Sequence, residues 1–200
     1  MTKILLFMGT LLTTMSFLPY IRDIIRHGAR PRLVSWLVWS ILMGLLTVVA
    51  LQEGQLGSAV VSGVSTVGCL IVVALGWRYA ARGVTRLEQT TLIAAAAGII
   101  AWFTVDSPLL VMGIALAIDA LAYIPTFIHG WQQPEEESLT AYGVGVLGGA
   151  IVIFSSWLMH AGILGYVYPV YAVTFGLVMV GCISISRWYG AAGGFAAETY

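Results

Sequence analysis

The stretch PLLVMGIALAIDALAYIPTFI, residues 108–128, decides how the rest of the chain is read. At about 1.5 Å of rise per residue, a helix of this length covers a hydrocarbon core of about 30 Å. Its single charge, Asp119, falls near the middle. A carboxyl group at that depth is costly unless it is protonated, hydrated or paired, which makes Asp119 the first functional candidate. Helical spacing puts Tyr123 one turn and Thr126 two turns further along the same face. Pro125, between them, removes a backbone donor.

The same apolar character runs through the whole sequence. Of its 200 residues 60% are apolar and 9% charged, and the mean hydropathy is +0.94. A soluble core of this size cannot hide that much apolar surface. The expectation is an all-α, multi-pass integral membrane protein, with the lipid bilayer as its first partner. Zero net charge leaves no electrostatic footprint for nucleic acid. The two cysteines lie inside apolar runs, and His27, His129 and His160 are scattered, so no disulfide, metal or cofactor is expected. Lys3 precedes the first apolar run as in a signal peptide, but no small-x-small site follows and Pro19 and Tyr20 end the run. It reads as a retained first span.

Apolar runs long enough for a bilayer fall at 3–25, 33–52, 57–77, 88–104, 108–128, 138–159 and 163–187, seven in all. Arg22, Arg26, Arg30 and Arg32 flank the first loop, Arg78, Arg82 and Arg86 fill the third, and Arg187 ends the last span. With seven spans these all share one face, opposite Lys3. The positive-inside rule then puts the N-terminus outside and the C-terminus in the cytoplasm. Glu135, Glu136 and Glu137 share the cytoplasmic face, which the rule tolerates because acidic residues contribute little to it.

Compared with itself, the chain shows a repeat. Phe17-Leu18-Pro19-Tyr20-Ile21 aligns with Tyr123-Ile124-Pro125-Thr126-Phe127, 106 positions later. Each proline precedes a charged loop containing another proline, Pro31 or Pro134, and then a helix start bearing hydroxyls, Ser35 or Ser138 and Thr140. Val67-Gly68-Cys69 also matches Val180-Gly181-Cys182. Two three-helix units separated by one helix must start on the same side, so the repeat is parallel, about an axis along the membrane normal. The expected organisation is a first bundle at 1–80, a linker helix at 81–106, a second bundle at 107–190 and a short tail at 191–200.

A proline of this kind, in a helix followed by a polar loop and repeated after a linker helix, resembles the PQ-loop group, which includes the SWEET and cystinosin-like transporters. The closer likeness is to uncharacterised bacterial seven-span proteins of that type, through Pro19-Tyr20-Ile21-Arg22-Asp23-Ile24, Arg30-Pro31 to Trp39, and Asp119-Ala120 through Pro125-Thr126 to Glu136-Glu137-Ser138. The resemblance implies a 3+1+3 SWEET-like fold and alternating access. It supplies no substrate. The glutamine that names the group is absent from both motifs, and the chain has no asparagine, the residue that SWEET-type sugar sites use. Sugar is therefore not expected.

Polar residues inside the spans form single-faced stripes. Thr13, Ser16 and Tyr20 recur at helical spacing in the first span, and the repeat carries them onto Asp119, Ala122 and Thr126. The third span adds Ser58, Ser62, Ser65 and Cys69, and the seventh Tyr171, Thr174 and Cys182. These faces are candidates for a solute and proton pathway, although serine and threonine stripes are also ordinary material for helix packing in lipid. Pro19 and Pro125 are hinge candidates or fixed kinks. Trp36 and Trp39 suit an aromatic belt or a stacking surface for substrate. Arg22 and Asp23, facing Glu135 to Glu137, are candidates for an ionic gate, with solvated loop charge as the alternative.

The function these features favour is a secondary transporter or facilitator for a small polar solute, with Asp119 carrying a proton or binding substrate. No nucleotide-binding motif is present, so coupling would come from an ion gradient. An enzyme is not expected, because GxSxG, HExxH and clustered metal ligands are missing. A retinal protein is excluded, since the only lysine is Lys3. The rival is a receptor, scaffold or assembly protein built on the same bundle. Self-association into a homo-oligomer stays open.

Overall fold

Long apolar runs punctuated by Gly, Pro and charge leave the backbone one economical solution in lipid, the helix, which satisfies every interior N–H and C=O within its own segment. In the computed structural model the described residues are 2–26, 28–52, 56–79, 84–105, 107–161 and 164–197. They are all-helical: α1 (Thr2–Met15), α2 (Phe17–Arg26), α3 (Leu33–Gln52), α4 (Leu56–Tyr79), α5 (Arg86–Trp102), α6 (Pro108–Gln132), α7 (Leu139–Leu158) and α8 (Leu164–Ala197). Pro134–Glu136 forms a 3-10 turn ahead of α7. His27, Arg82 and tail residues 198–200 lie outside the described residues, as does the side chain of Ser58.

Among the described residues five helical stretches are long and apolar enough to cross a membrane: Thr2–Arg26, Val60–Arg78, Gly113–Gln132, Leu139–Leu158 and Gly165–Gly190. Leu33–Val48, within α3, is a further apolar stretch. The chain is thus a helical protein built for a lipid bilayer.

The ends of the helices follow local chemistry. The first span breaks at Ser16, one turn before Pro19, because the proline ring lacks an N–H and crowds the carbonyl four residues back. Ser16 closes the break by bonding to the Thr13 carbonyl through both its backbone N–H, at 3.2 Å, and its hydroxyl, at 2.7 Å. Pro125, by contrast, sits inside the continuous α6, and α8 carries its own internal proline, Pro169. The fourth run begins at Arg86, two residues earlier than hydropathy places it, because Thr85 and Glu88 form a reciprocal capping box. The last helix continues well past residue 187 to Ala197.

The described chain groups into two units, residues 1–29 with 129–200 and residues 30–128, so the boundary falls inside α6. In the first unit α7 lies between α1 and α8. Gly148 takes α1: a Cβ there would lie 2.5 Å from the Thr13 backbone nitrogen and 2.8 Å from the Gly9 carbonyl oxygen. Gly149, one residue on, takes α8 against Val173. With no hydrophobic drive between helices in lipid, such close approach supplies the van der Waals contact that holds them. The face of α8 carrying Met179 and Ile183, both fully buried, closes over Gly130 at the end of α6.

In the second unit α3 and α4 pack as a pair. Thr47 donates from its hydroxyl to Ser62 at 3.0 Å, and Gly63 lies beside the Thr47 methyl. The start of α5 is tied to the start of α3 by Arg32 and Glu88, 2.9 Å apart. Further along, Gly98 of α5 leaves room for Ile118 of α6. These packing units are drawn along different lines from the sequence repeat, since α1 and α2 group with α7 and α8.

Candidate functional site

In the second unit the site grows from the antiparallel run of α6 beside α3. Thr126, fully buried, donates from its hydroxyl to the equally buried Ser35 at 2.9 Å. One turn deeper the Tyr123 ring meets the Trp39 ring at 4.7 Å between centroids. Trp36 packs edge-on against Trp39 at 5.2 Å, and Phe127 stacks on Tyr123 at 5.3 Å. One more turn along α6 comes Asp119, only 5% exposed, flanked by the buried Ile118 and Ala122. Its carboxyl group lies within electrostatic reach of the Cys69 thiol on α4, itself 4% exposed. The Trp39 indole N–H is buried with no hydrogen-bond acceptor among the described residues.

The arrangement follows from sequence spacing. Residues 119, 123 and 126 share one face of α6, and residues 35, 39 and 42 share one face of α3. Antiparallel pairing then matches hydroxyl to hydroxyl and ring to ring. A buried carboxyl group within reach of a thiol, one helical turn from a packed tyrosine and indole pair, can hold or release a proton and can orient a polar guest.

The first unit holds a second polar cluster around the 3-10 turn. Glu137 is 2% exposed and accepts two phenol protons on one carboxylate oxygen, from Tyr20 at 2.9 Å and Tyr142 at 3.2 Å. The two tyrosine rings meet edge-on. Ser138 caps α7, accepting from the Ala141 N–H, and donates its own proton to Asp23 at 2.5 Å. Arg187 clamps the turn: its guanidinium donates to the Pro134 carbonyl at 2.8 Å and the Glu137 carbonyl at 3.2 Å, and pairs with Glu135 at 3.3 Å. His129, 5% exposed, lies 3.5 Å from Glu136.

Of the candidates read from sequence, Asp119, Tyr123, Thr126, Trp36 and Trp39 come together in the second unit. Tyr20 and Asp23 come together in the first, on Glu137 and Ser138. Arg22 points elsewhere, exposed on the other side of α2. Thr13 and Ser16 spend their hydroxyls on their own helix, Thr13 donating to the Gly9 carbonyl at 2.9 Å. Ser62 serves the α3–α4 seam, and Ser65 bonds back to the Val61 carbonyl. Sequence reading misses Ser35, Tyr142, Glu88 and the clamp made by Arg187, and it treats Glu137 as one loop acid among three. The Thr85-x-x-Glu88 capping pattern was available as a signal; the rest depends on which helices meet.

No family model, curated protein or solved structure matches the chain.

Proposed function

We propose that the chain is a secondary transporter or facilitator for a small polar solute. The observation that carries this reading is the buried Asp119, on the same face of a proline-bearing helix as Tyr123 and Thr126. Burying a carboxyl group inside an apolar helix costs stability that an apolar residue would not, so its presence there points to proton or solute handling. The finer features belong to the same proposal: seven spans in a PQ-loop-like 3+1+3 arrangement, N-terminus outside, in a bacterial inner membrane. Alternating access would open and reform the contacts on the two proline-bearing segments, Thr126 with Ser35 and Tyr20 with Glu137.

The test uses proteoliposomes holding a pH-sensitive dye, challenged with a panel of small polar solutes. A solute that carries protons inward on the wild-type protein should carry none on Asp119→Asn, which keeps the shape but cannot release a proton, while solute exchange persists. An unchanged pH profile in Asp119→Asn rejects the coupling role. The hydrogen bonds that tie one Glu137 oxygen to Tyr20 and Tyr142 favour the second reading, a receptor or scaffold. Failure of Asp119→Asn to fold would assign the carboxyl group to structure and support that reading.

A further inference from the structure

The face of α2 turned away from the Glu137 cluster carries a groove of about 630 Å³ lined by Leu18, Pro19, Ile21, Arg22, Ile25 and Arg26. Positions 18, 22 and 26 follow one another at four-residue spacing, and 21 and 25 form a parallel row beside them. Two arginines therefore sit one turn apart, next to a row of aliphatic side chains. Leu18 and Ile25 are more than half exposed, and both arginines are exposed. Among the described residues neither arginine has an acidic partner, and the nearest acid in sequence, Asp23, is engaged by Ser138 on the opposite face.

The apolar row does not stop at the groove. Phe7, Leu11 and Met15 of α1 recur at helical spacing and are all exposed, so an apolar lane leads away from the arginines along the span. From Arg22 back to Leu11 is about 16 Å at helical rise, roughly one leaflet of a 30 Å core. An exposed pair of cations at one end of a leaflet-long apolar lane is complementary to a molecule with an anionic head and a hydrocarbon tail.

We propose that this face is a binding site for an anionic phospholipid, its phosphate between Arg22 and Arg26 and one acyl chain along Leu18, Met15 and Leu11. The site is independent of the transport reading and would stand if that reading failed. Basic pockets at the ends of membrane helices take such headgroups through charge and hydrogen bonding. Ordinary positive-inside charge would instead attract anionic lipid diffusely, with no preferred stoichiometry.

Native mass spectrometry of the delipidated full chain, titrated with dioleoyl phosphatidylglycerol or dioleoyl phosphatidylcholine, distinguishes these. One tightly held phosphatidylglycerol is expected, with phosphatidylcholine far weaker. The double variant R22Q/R26Q should weaken phosphatidylglycerol about thirtyfold, at roughly fivefold for each surface arginine. A control pair at other helix ends, R78Q/R86Q, should leave that one lipid in place. Equal loss in both pairs, or equal affinity for the two lipids, overturns the site. Displacement of the lipid by millimolar inorganic phosphate alone overturns the acyl-chain lane and leaves a simple phosphate site. If the double variant does not fold, Arg26→Gln carries the same comparison at about fivefold.

Discussion

At the scale of single residues, Glu137 shows how much one buried carboxylate organises. Two tyrosine hydroxyls from different helices end on the same oxygen, and its backbone carbonyl takes a guanidinium proton. Hydrogen bonds to a charged group contribute about 1.5–3 kcal/mol each, and stranding a buried donor costs a similar amount. Glu137→Ala should therefore lower the melting temperature in detergent strongly, by an amount corresponding to about 3 kcal/mol or more. Tyr20→Phe, which removes a single bond, should cost about half as much; equal effects would mean that Tyr20 alone bears the cluster. The sequence could not single out Glu137 from Glu135 and Glu136, since three adjacent acids look alike until Tyr20 and Tyr142 converge on one of them. Asp119 was legible, because the one charge in a 21-residue, mostly apolar stretch needs no partner to stand out.

At the scale of helices, hydropathy located most of the segments, while cap chemistry and rings decided their ends. α3 ends where the apolar run does, yet α5 starts where Thr85 caps it and the first span breaks where Pro19 demands. The α1–α7 seam gives a contrast on one helix. A Cβ at Gly148 would press on the α1 backbone, whereas one at Gly143 meets nothing within 4 Å. Gly148→Ala should destabilise by about 1–3 kcal/mol through forced separation of α1 and α7. Gly143→Ala should be neutral or stabilise by up to about 1 kcal/mol, the helix-propensity gain. Thermal unfolding of the two variants checks the pair, and similar losses in both would show that the seam does not depend on close backbone approach. What helix periodicity cannot say is the rotation of one helix against another, which is why the serine stripe was legible as a packing face and the helix it packs on, α3, was not.

At the scale of the whole chain, the two proline segments make matching cross-connections. The hydroxyl one residue after Pro19 bonds to Glu137, just ahead of α7, and the hydroxyl one residue after Pro125 bonds to Ser35, in the first turn of α3. Each sequence half thus lends its post-proline residue to the other half's second helix, a pairing the repeat alone did not reveal. The proposed topology can be tested by single cysteines at positions 30 and 136: both should be shielded from an impermeant thiol reagent in intact cells and labelled after permeabilisation, and labelling of either from outside would reject the seven-span arrangement. The first unit also has a consequence for how the protein is made. It is assembled from the two ends of the chain, residues 1–29 and 129–200, so Tyr20 and Asp23 leave the ribosome more than a hundred residues before Glu137 and Ser138. At about 5–20 residues per second, the opening helices wait on the order of ten seconds in the membrane without the neighbours they will end up beside. During that interval their polar groups depend on headgroups, water or an insertase, and a ribosome stalled shortly before residue 137 would leave a nascent chain for quality control to remove.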